Sequence, residues 1–147
     1  MKTANRNHKK GFTLVELIVV IAIIGVLAAI VVPTTLHFVE QGRIEAANEE
    51  LGRIANALND NVSASIANGV YTSTNKIGQA ELKAELAKSN ITGASDGRTV
   101  SVTITIEGGD ATVTLTMNVD GVEAKSLKFT SHGTKFNAIA EATNLFA

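Results

Sequence analysis

Near the start of the chain, Lys9-Lys10-Gly11-Phe12-Thr13-Leu14-Val15-Glu16 puts two ammonium groups, a glycine and one carboxylate within eight residues. Each of these could do chemistry. A flexible glycine just before an apolar run opens the backbone to a membrane protease. Glu16 is the only acid before Glu40, and it stands at the head of an apolar run. A carboxylate costs about 2.5–3.5 kcal/mol near the middle of a membrane helix and less near its end. Such a group needs a partner.

The elements that must position these groups follow directly. From Leu17 to Val32 there are sixteen consecutive apolar or glycine residues. Counted from Phe12, the segment reaches about twenty, the length a helix needs to cross roughly 30 Å of hydrocarbon. Lys2, Arg6, Lys9 and Lys10 precede it without an acid among them, and the first charge after it is Glu40. That asymmetry predicts a cytoplasmic N-terminus with the remainder outside. A secretory signal peptide would have a shorter apolar core and a small-residue cleavage site after it, whereas this run flows into Pro33-Thr34-Thr35-Leu36. A plain signal anchor explains the greasy run and the basic flank but leaves Glu16 without a role.

Lys9-Lys10-Gly11-Phe12-Thr13-Leu14-Val15-Glu16, followed by the apolar run with Pro33, resembles the N-terminus of type IV pilins and pseudopilins over roughly residues 9–50. The resemblance implies that a prepilin peptidase cuts after Gly11 on the cytoplasmic side and methylates the amine of Phe12. It also implies that Glu16 neutralises the N-terminal amine of a neighbouring subunit during assembly. The partners it implies are the peptidase, other copies of the chain in a helical homopolymer, an assembly platform with its ATPase motor, and the membrane. The expected location is a single-pass cytoplasmic (inner) membrane protein before assembly and an extracellular filament afterwards.

Beyond Pro33 the apolar positions thin out and become periodic. Leu36, Val39, Ile44, Ala47, Leu51, Ile54, Leu58, Val62 and Ile66 recur mostly at spacings of three or four, one face of a helix. Glu40, Arg43, Glu45, Glu49, Glu50, Arg53, Asn56 and Asp60 occupy the other faces. The pattern predicts one helix from about Phe12 to Asn68, ending at Asn68-Gly69. Pro33 has no N–H for the carbonyl of Ala29, so a kink or loosening is expected there. Gly25 is a second weak point, or a place of close helix packing together with Ala22, Ala28 and Ala29.

Residues 69–97 read as polar loops around one short helix, Gln79 to Lys88. From Arg98 the period becomes two. Val100, Val102, Ile104 and Ile106 alternate with Ser101, Thr103 and Thr105; after Gly108-Gly109, Ala111, Val113, Leu115, Met117 and Val119 alternate with Thr112, Thr114, Thr116 and Asn118. Asp120-Gly121 supplies a type I′ hairpin signal, and a third strand follows with Val122, Ala124, Leu127 and Phe129, slipping phase near Lys125-Ser126 as a bulge would. The tail favours a short helix through Phe136, Ile139, Ala140 and Phe146, with a fourth strand as the alternative.

The expected fold is therefore α+β and type IV pilin-like: a long N-terminal helix packed on an antiparallel meander of three or four strands. The expected divisions are a leader over 1–11, a membrane and assembly half-helix over 12–33, an amphipathic half-helix over 34–68, and a head over 69–147 with its meander at about 98–130. In 147 residues there is room for one small domain and an anchor.

The formal net charge of -1 and the sparse aromatics offer no nucleic-acid surface, and the absence of cysteine excludes disulfides and thiolate sites. His8, His37 and His132 lie too far apart in sequence for metal-ligand spacing. No nucleophile motif, phosphate loop or metal pattern appears, so no enzyme, cofactor or metal is expected. The leading expectation is the repeating subunit of a type IV pilus. The alternative is a pseudopilin of a type II secretion or competence (DNA uptake) machine. Major secretion pseudopilins commonly carry an acid-rich C-terminal calcium loop, and here Glu141 is the single acid from Ala124 to Ala147. A membrane-anchored enzyme or binding module would require a concave polar site in the head.

Overall fold

In a computed structural model of the chain, residues 11–70, 76–130, 136–138 and 143–147 are described. The expected leader, apart from Gly11, lies outside the described residues, as do parts of the tail that include Ile139, Ala140 and Glu141. The chain divides into two compact units, Met1–Gln41 and Gly42–Ala147.

Helix α1 spans Leu14–Ala67 and is unbroken at Pro33. The residues that follow the proline add side-chain donors to this turn. The hydroxyl of Thr34 donates to the carbonyls of Ile30 (3.3 Å) and Val31 (2.9 Å), and that of Thr35 donates to those of Val31 and Val32. Side-chain donors thus serve the carbonyls around the turn that the proline ring disturbs. At its far end α1 stops where the sequence says. Gly69 adopts φ +73°, with Gly69 N–H donating to Ile66 and Val70 N–H to Ser65, the paired bonds of a Schellman cap.

In the second unit, α1 buries Ala47, Leu51, Ile54, Ala55, Leu58 and Val62, with Ile66 partly buried. Strand β1 (Lys76–Ile77) leads into helix α2 (Gln79–Lys88), whose bounds match the expected ones. Leu82 and Leu86 of α2 enter the same core. Strands β2 (Val100–Glu107) and β3 (Asp110–Met117) pair in register from Val100↔Met117 to Glu107↔Asp110. Their two-residue turn is Gly108-Gly109, with φ of +63° and +99°, as a type I′ hairpin requires. Val100, Val102, Ile104, Val113 and Leu115 point into the core, while Ser101, Thr103, Thr105 and Thr116 are exposed. The alternation follows from the pleat.

The third strand departs from expectation. β4 is Lys125–Phe129, pairing Leu115↔Lys125 through Ala111↔Phe129 without a bulge. Asp120-Gly121 does turn the chain, with Val122 N–H bonded to the Val119 carbonyl, but pairing does not resume there. The loop instead packs on α1. Gly121 lies against Ile44, where an added Cβ would come within 3.1 Å of the Ile44 Cδ1, and Glu123 N–H donates to Asn48 Oδ1. The apparent phase slip at Lys125 is the start of the strand.

The tail is also corrected. Its described parts are the short strands β5 (Asn137–Ala138) and β6 (Thr143–Asn144), not a helix. β6 extends the sheet to the order β4-β3-β2-β6, and β5 pairs in parallel with β1. Of the positions that suggest a helix, Phe136 is buried and Phe146 half-buried, and Leu145 also enters the core. The result is the α+β fold expected, with a four-stranded antiparallel sheet packed with α1 and α2.

Candidate functional site

Gly11 and Phe12 precede the helix in irregular backbone, fully accessible. Phe12 is 88% exposed and the space around Gly11 is open. A peptide bond outside regular structure and free of neighbours can enter a protease, which needs an extended substrate. Four residues on, Glu16 is engaged. Glu16 N–H donates to Thr13 Oγ1 at 3.3 Å, and the Glu16 carboxylate accepts from the Thr13 N–H and hydroxyl, each at 3.4 Å. Thr13 is the N-cap and Glu16 the third helical residue, the reciprocal arrangement of a capping box. The pattern Thr-x-x-Glu that signals this box is present in the sequence at Thr13-Leu14-Val15-Glu16.

This geometry gives Glu16 a place to wait. Its charge lies in the first turn, where the helix dipole favours an anion, and its oxygens have donors before any partner arrives. The bonds are long for charge-assisted ones.

From Leu14 to Gln41 every residue of the first unit is exposed, including Ile18, Ile21, Leu27, Ile30 and Phe38. Gly25 lies in open space and offers a flat patch beside Ala22, Ala28 and Ala29. A helix apolar on all faces suits lipid or a helical bundle rather than water, and this one is long and apolar enough to cross a membrane.

Two polar networks in the second unit escaped sequence reasoning, because both acids sit among charged neighbours on helices. Glu50, expected on a wet face, is only 7% exposed. Its carboxylate accepts from Arg98 Nη1 (2.7 Å) and the Ser95 backbone N–H (2.6 Å). Burial pushes its carboxyl pKa up, but the Ser95 N–H and the Arg98 guanidinium outweigh that and hold it below the ordinary 4.5. Glu85, also buried, accepts from Ser65 (2.9 Å) and Lys88 (2.7 Å). Each ties a loop or helix of the head to α1. An open cleft of about 670 Å³ beside Glu50 is lined by Glu49, Arg53, Asn56, Asp96 and Arg98, but Glu50 and Arg98 there neutralise each other. Among the described residues no cluster of three or more His, Asp or Glu could hold a metal.

Residues 6–32 match the family model of the prokaryotic N-terminal methylation motif. The chain is 38% identical over 53 residues to a type IV major fimbrial protein, FimA, of Dichelobacter nodosus, covering 36% of this chain and 34% of that protein. It is 42% identical over 53 residues to type II secretion system core protein G of Pseudomonas aeruginosa, covering 36% and 37%. With the fimbrial protein EcpC of Eikenella corrodens it shares 33% identity over 115 residues, 78% of this chain and 66% of that one. The chain thus spans about a third of the first of these relatives. No solved structure matches it. A methylation motif at the head of an exposed apolar helix, joined to an α+β head whose likeness to a fimbrial protein runs well past the helix, shows that the chain belongs to the type IV pilin family.

Proposed function

We propose that this chain is the structural subunit of a type IV pilus. A prepilin peptidase cuts between Gly11 and Phe12, the amine of Phe12 is methylated, and the chain waits in the cytoplasmic membrane with its N-terminus inside and its head outside. An assembly platform and ATPase motor then transfer it into a helical homopolymer. Lipid tails are as apolar as leucine, so moving α1 from bilayer to filament core gains little hydrophobic energy. Shape and a polar contact must set the register. Glu16 supplies that contact by exchanging its Thr13 partners for the Phe12 amine of a neighbouring copy. A buried carboxylate left unpaired would be strongly unfavourable. No catalytic role is assigned to any residue.

The observation that carries the reading is the Gly11-Phe12 junction beside a self-capped Glu16 on a wholly exposed apolar helix. A pseudopilin has the same N-terminus, and the likeness to secretion protein G favours that alternative over 53 residues. The longer likeness to a fimbrial protein, 115 residues, extends into the head and favours the pilus.

Two measurements test the proposal. The intact mass of filament subunits should show loss of residues 1–11 and gain of one methyl group; a chain starting beyond Pro33 would mean an ordinary signal peptide. Glu16→Ala should still be cut and remain in the membrane, yet yield few or no filaments as the sole subunit. Normal filament yield would remove Glu16 from assembly and leave it as a capping residue.

A further inference from the structure

The chain carries two Asn-x-Ser/Thr triplets in the described residues, Asn61-Val62-Ser63 and Asn90-Ile91-Thr92. This is the acceptor pattern for asparagine-linked glycans on exported proteins. The pattern is short and recurs by chance, so geometry has to discriminate between the two.

Asn61 is inside α1 and has its amide committed. Its Nδ2 donates to the carbonyl of Glu85 and to the hydroxyl of Ser89, each at 2.7 Å. A nitrogen with both hydrogens bonded, on a helix, cannot be presented as a nucleophile. Asn90 differs in every respect. It follows the last turn of α2 with φ +59°, and its own N–H bonds the Ala87 carbonyl while Ile91 N–H bonds that of Leu86. Ile91 packs against the core, so the turn is pinned from below while Asn90 and Thr92 stay exposed.

Among the described residues, neither the Asn90 amide nor the Thr92 hydroxyl has a hydrogen-bond partner. An asparagine in the left-handed region after a helix is explained by capping alone; what sets this triplet apart from the one at Asn61 is that both its amide and its hydroxyl are exposed and uncommitted. An open cleft of about 480 Å³, lined by Arg53, Ala57, Ser89, Asn90 and Thr92, adjoins the triplet and has room for a first sugar.

We propose that Asn90 is a site of N-linked glycosylation and that Asn61 is not. The co-substrate is a lipid-linked oligosaccharyl pyrophosphate at the outer face of the membrane. The Asn90 Nδ2 attacks the anomeric carbon, and an N–C bond forms as the bond from that carbon to the pyrophosphate oxygen breaks. The pyrophosphate leaves with the electron pair, and the amide gives up one proton to a base of the transferase. The step is redox-neutral. It rests on the reading that the head lies outside the cytoplasmic membrane.

Peptide mass spectrometry of the full-length protein from the cells that naturally make it tests the proposal. Cleavage after Arg53, Lys76, Lys88 and Arg98 separates the two triplets into peptides 54–76 and 89–98. The 89–98 peptide should carry added sugar mass and the 54–76 peptide none. Asn90→Gly, which suits the left-handed turn, should lose the added mass with the head still folded. Thr92→Val should lose it as well, and Thr92→Ser should keep it. An N-terminal peptide starting at Phe12, in protein sheared from the cell surface, reports export separately. A bare 89–98 peptide on such a chain overturns the glycosylation site alone, and so does sugar that persists in Asn90→Gly, which would be O-linked. A chain that is never exported overturns both readings.

Discussion

From Leu14 to Gln41 helix α1 has every side chain exposed, while from Ala47 to Val62 the same helix buries one stripe and leaves the opposite face wet. The backbone is helical in both, so the difference lies in what each sequence can dissolve in. The first stretch is apolar all round and rich in valine and isoleucine, residues that a water-exposed helix would avoid. Its stability depends on surroundings as apolar as itself. The second alternates a stripe of leucine, isoleucine and alanine with charges, and the head supplies its cover. One helix therefore belongs to two solvents, and the boundary between the two compact units at Gln41–Gly42 falls where the composition changes.

The largest test of this contrast is to cut it. A fragment beginning at Gly42 should be a soluble, folded monomer by sedimentation, whereas the chain from Phe12 should partition into membranes or detergent. If the fragment forms filaments unaided, the head drives assembly and the contrast loses its meaning. Next comes a matched pair of truncations on the one helix. Leu58 is fully buried, and Leu58→Ala should lower unfolding free energy by about 2–5 kcal/mol in chemical denaturation. Leu27 is exposed, and Leu27→Ala should change head stability by no more than about 0.5 kcal/mol. Equal effects would show that the two stretches are not energetically separate.

The buried acid offers a smaller and pH-dependent probe. Glu50→Gln removes the charge that faces Arg98 and should cost about 1–3 kcal/mol near neutral pH. The folded carboxyl pKa is lowered, so its contribution is complete above the unfolded value of about 4.3 and is lost as pH falls through the folded value. The gap between wild type and Glu50→Gln should therefore be constant at neutral pH and close in acid. A gap that widened on acidification would contradict the ion pair with Arg98. The smallest effect marks the start of the buried stretch. Gly121→Ala puts a Cβ at φ +85° and 3.1 Å from the Ile44 Cδ1, and should cost about 1–2 kcal/mol. An unchanged melting temperature would mean that the loop around Gly121 does not hold Ile44.

The sequence by itself determined the span and end of α1, the bounds of α2, and the first hairpin. Each rests on local physics: a periodic pattern, a cap, a two-glycine turn. Tertiary structure alone decided what Asp120-Gly121 and the tail would do. The chain turns at Asp120-Gly121, but only Gly121 takes the positive φ that a type I′ hairpin needs at both residues, and the loop after it packs on Ile44 and Asn48, contacts between residues more than seventy apart in sequence. Phe136, Ile139, Ala140 and Phe146 look helical by spacing, yet the free edge of β2 at Ser101 and Val102 takes Asn144 and Thr143 as its partners, because an unpaired edge has backbone groups to satisfy. Glu50 and Glu85 read as surface charges until Arg98, Ser95, Ser65 and Lys88 are brought to them. Whether an acid on a helix faces water or a cation depends on which distant segment packs over it, and periodicity carries no information about that.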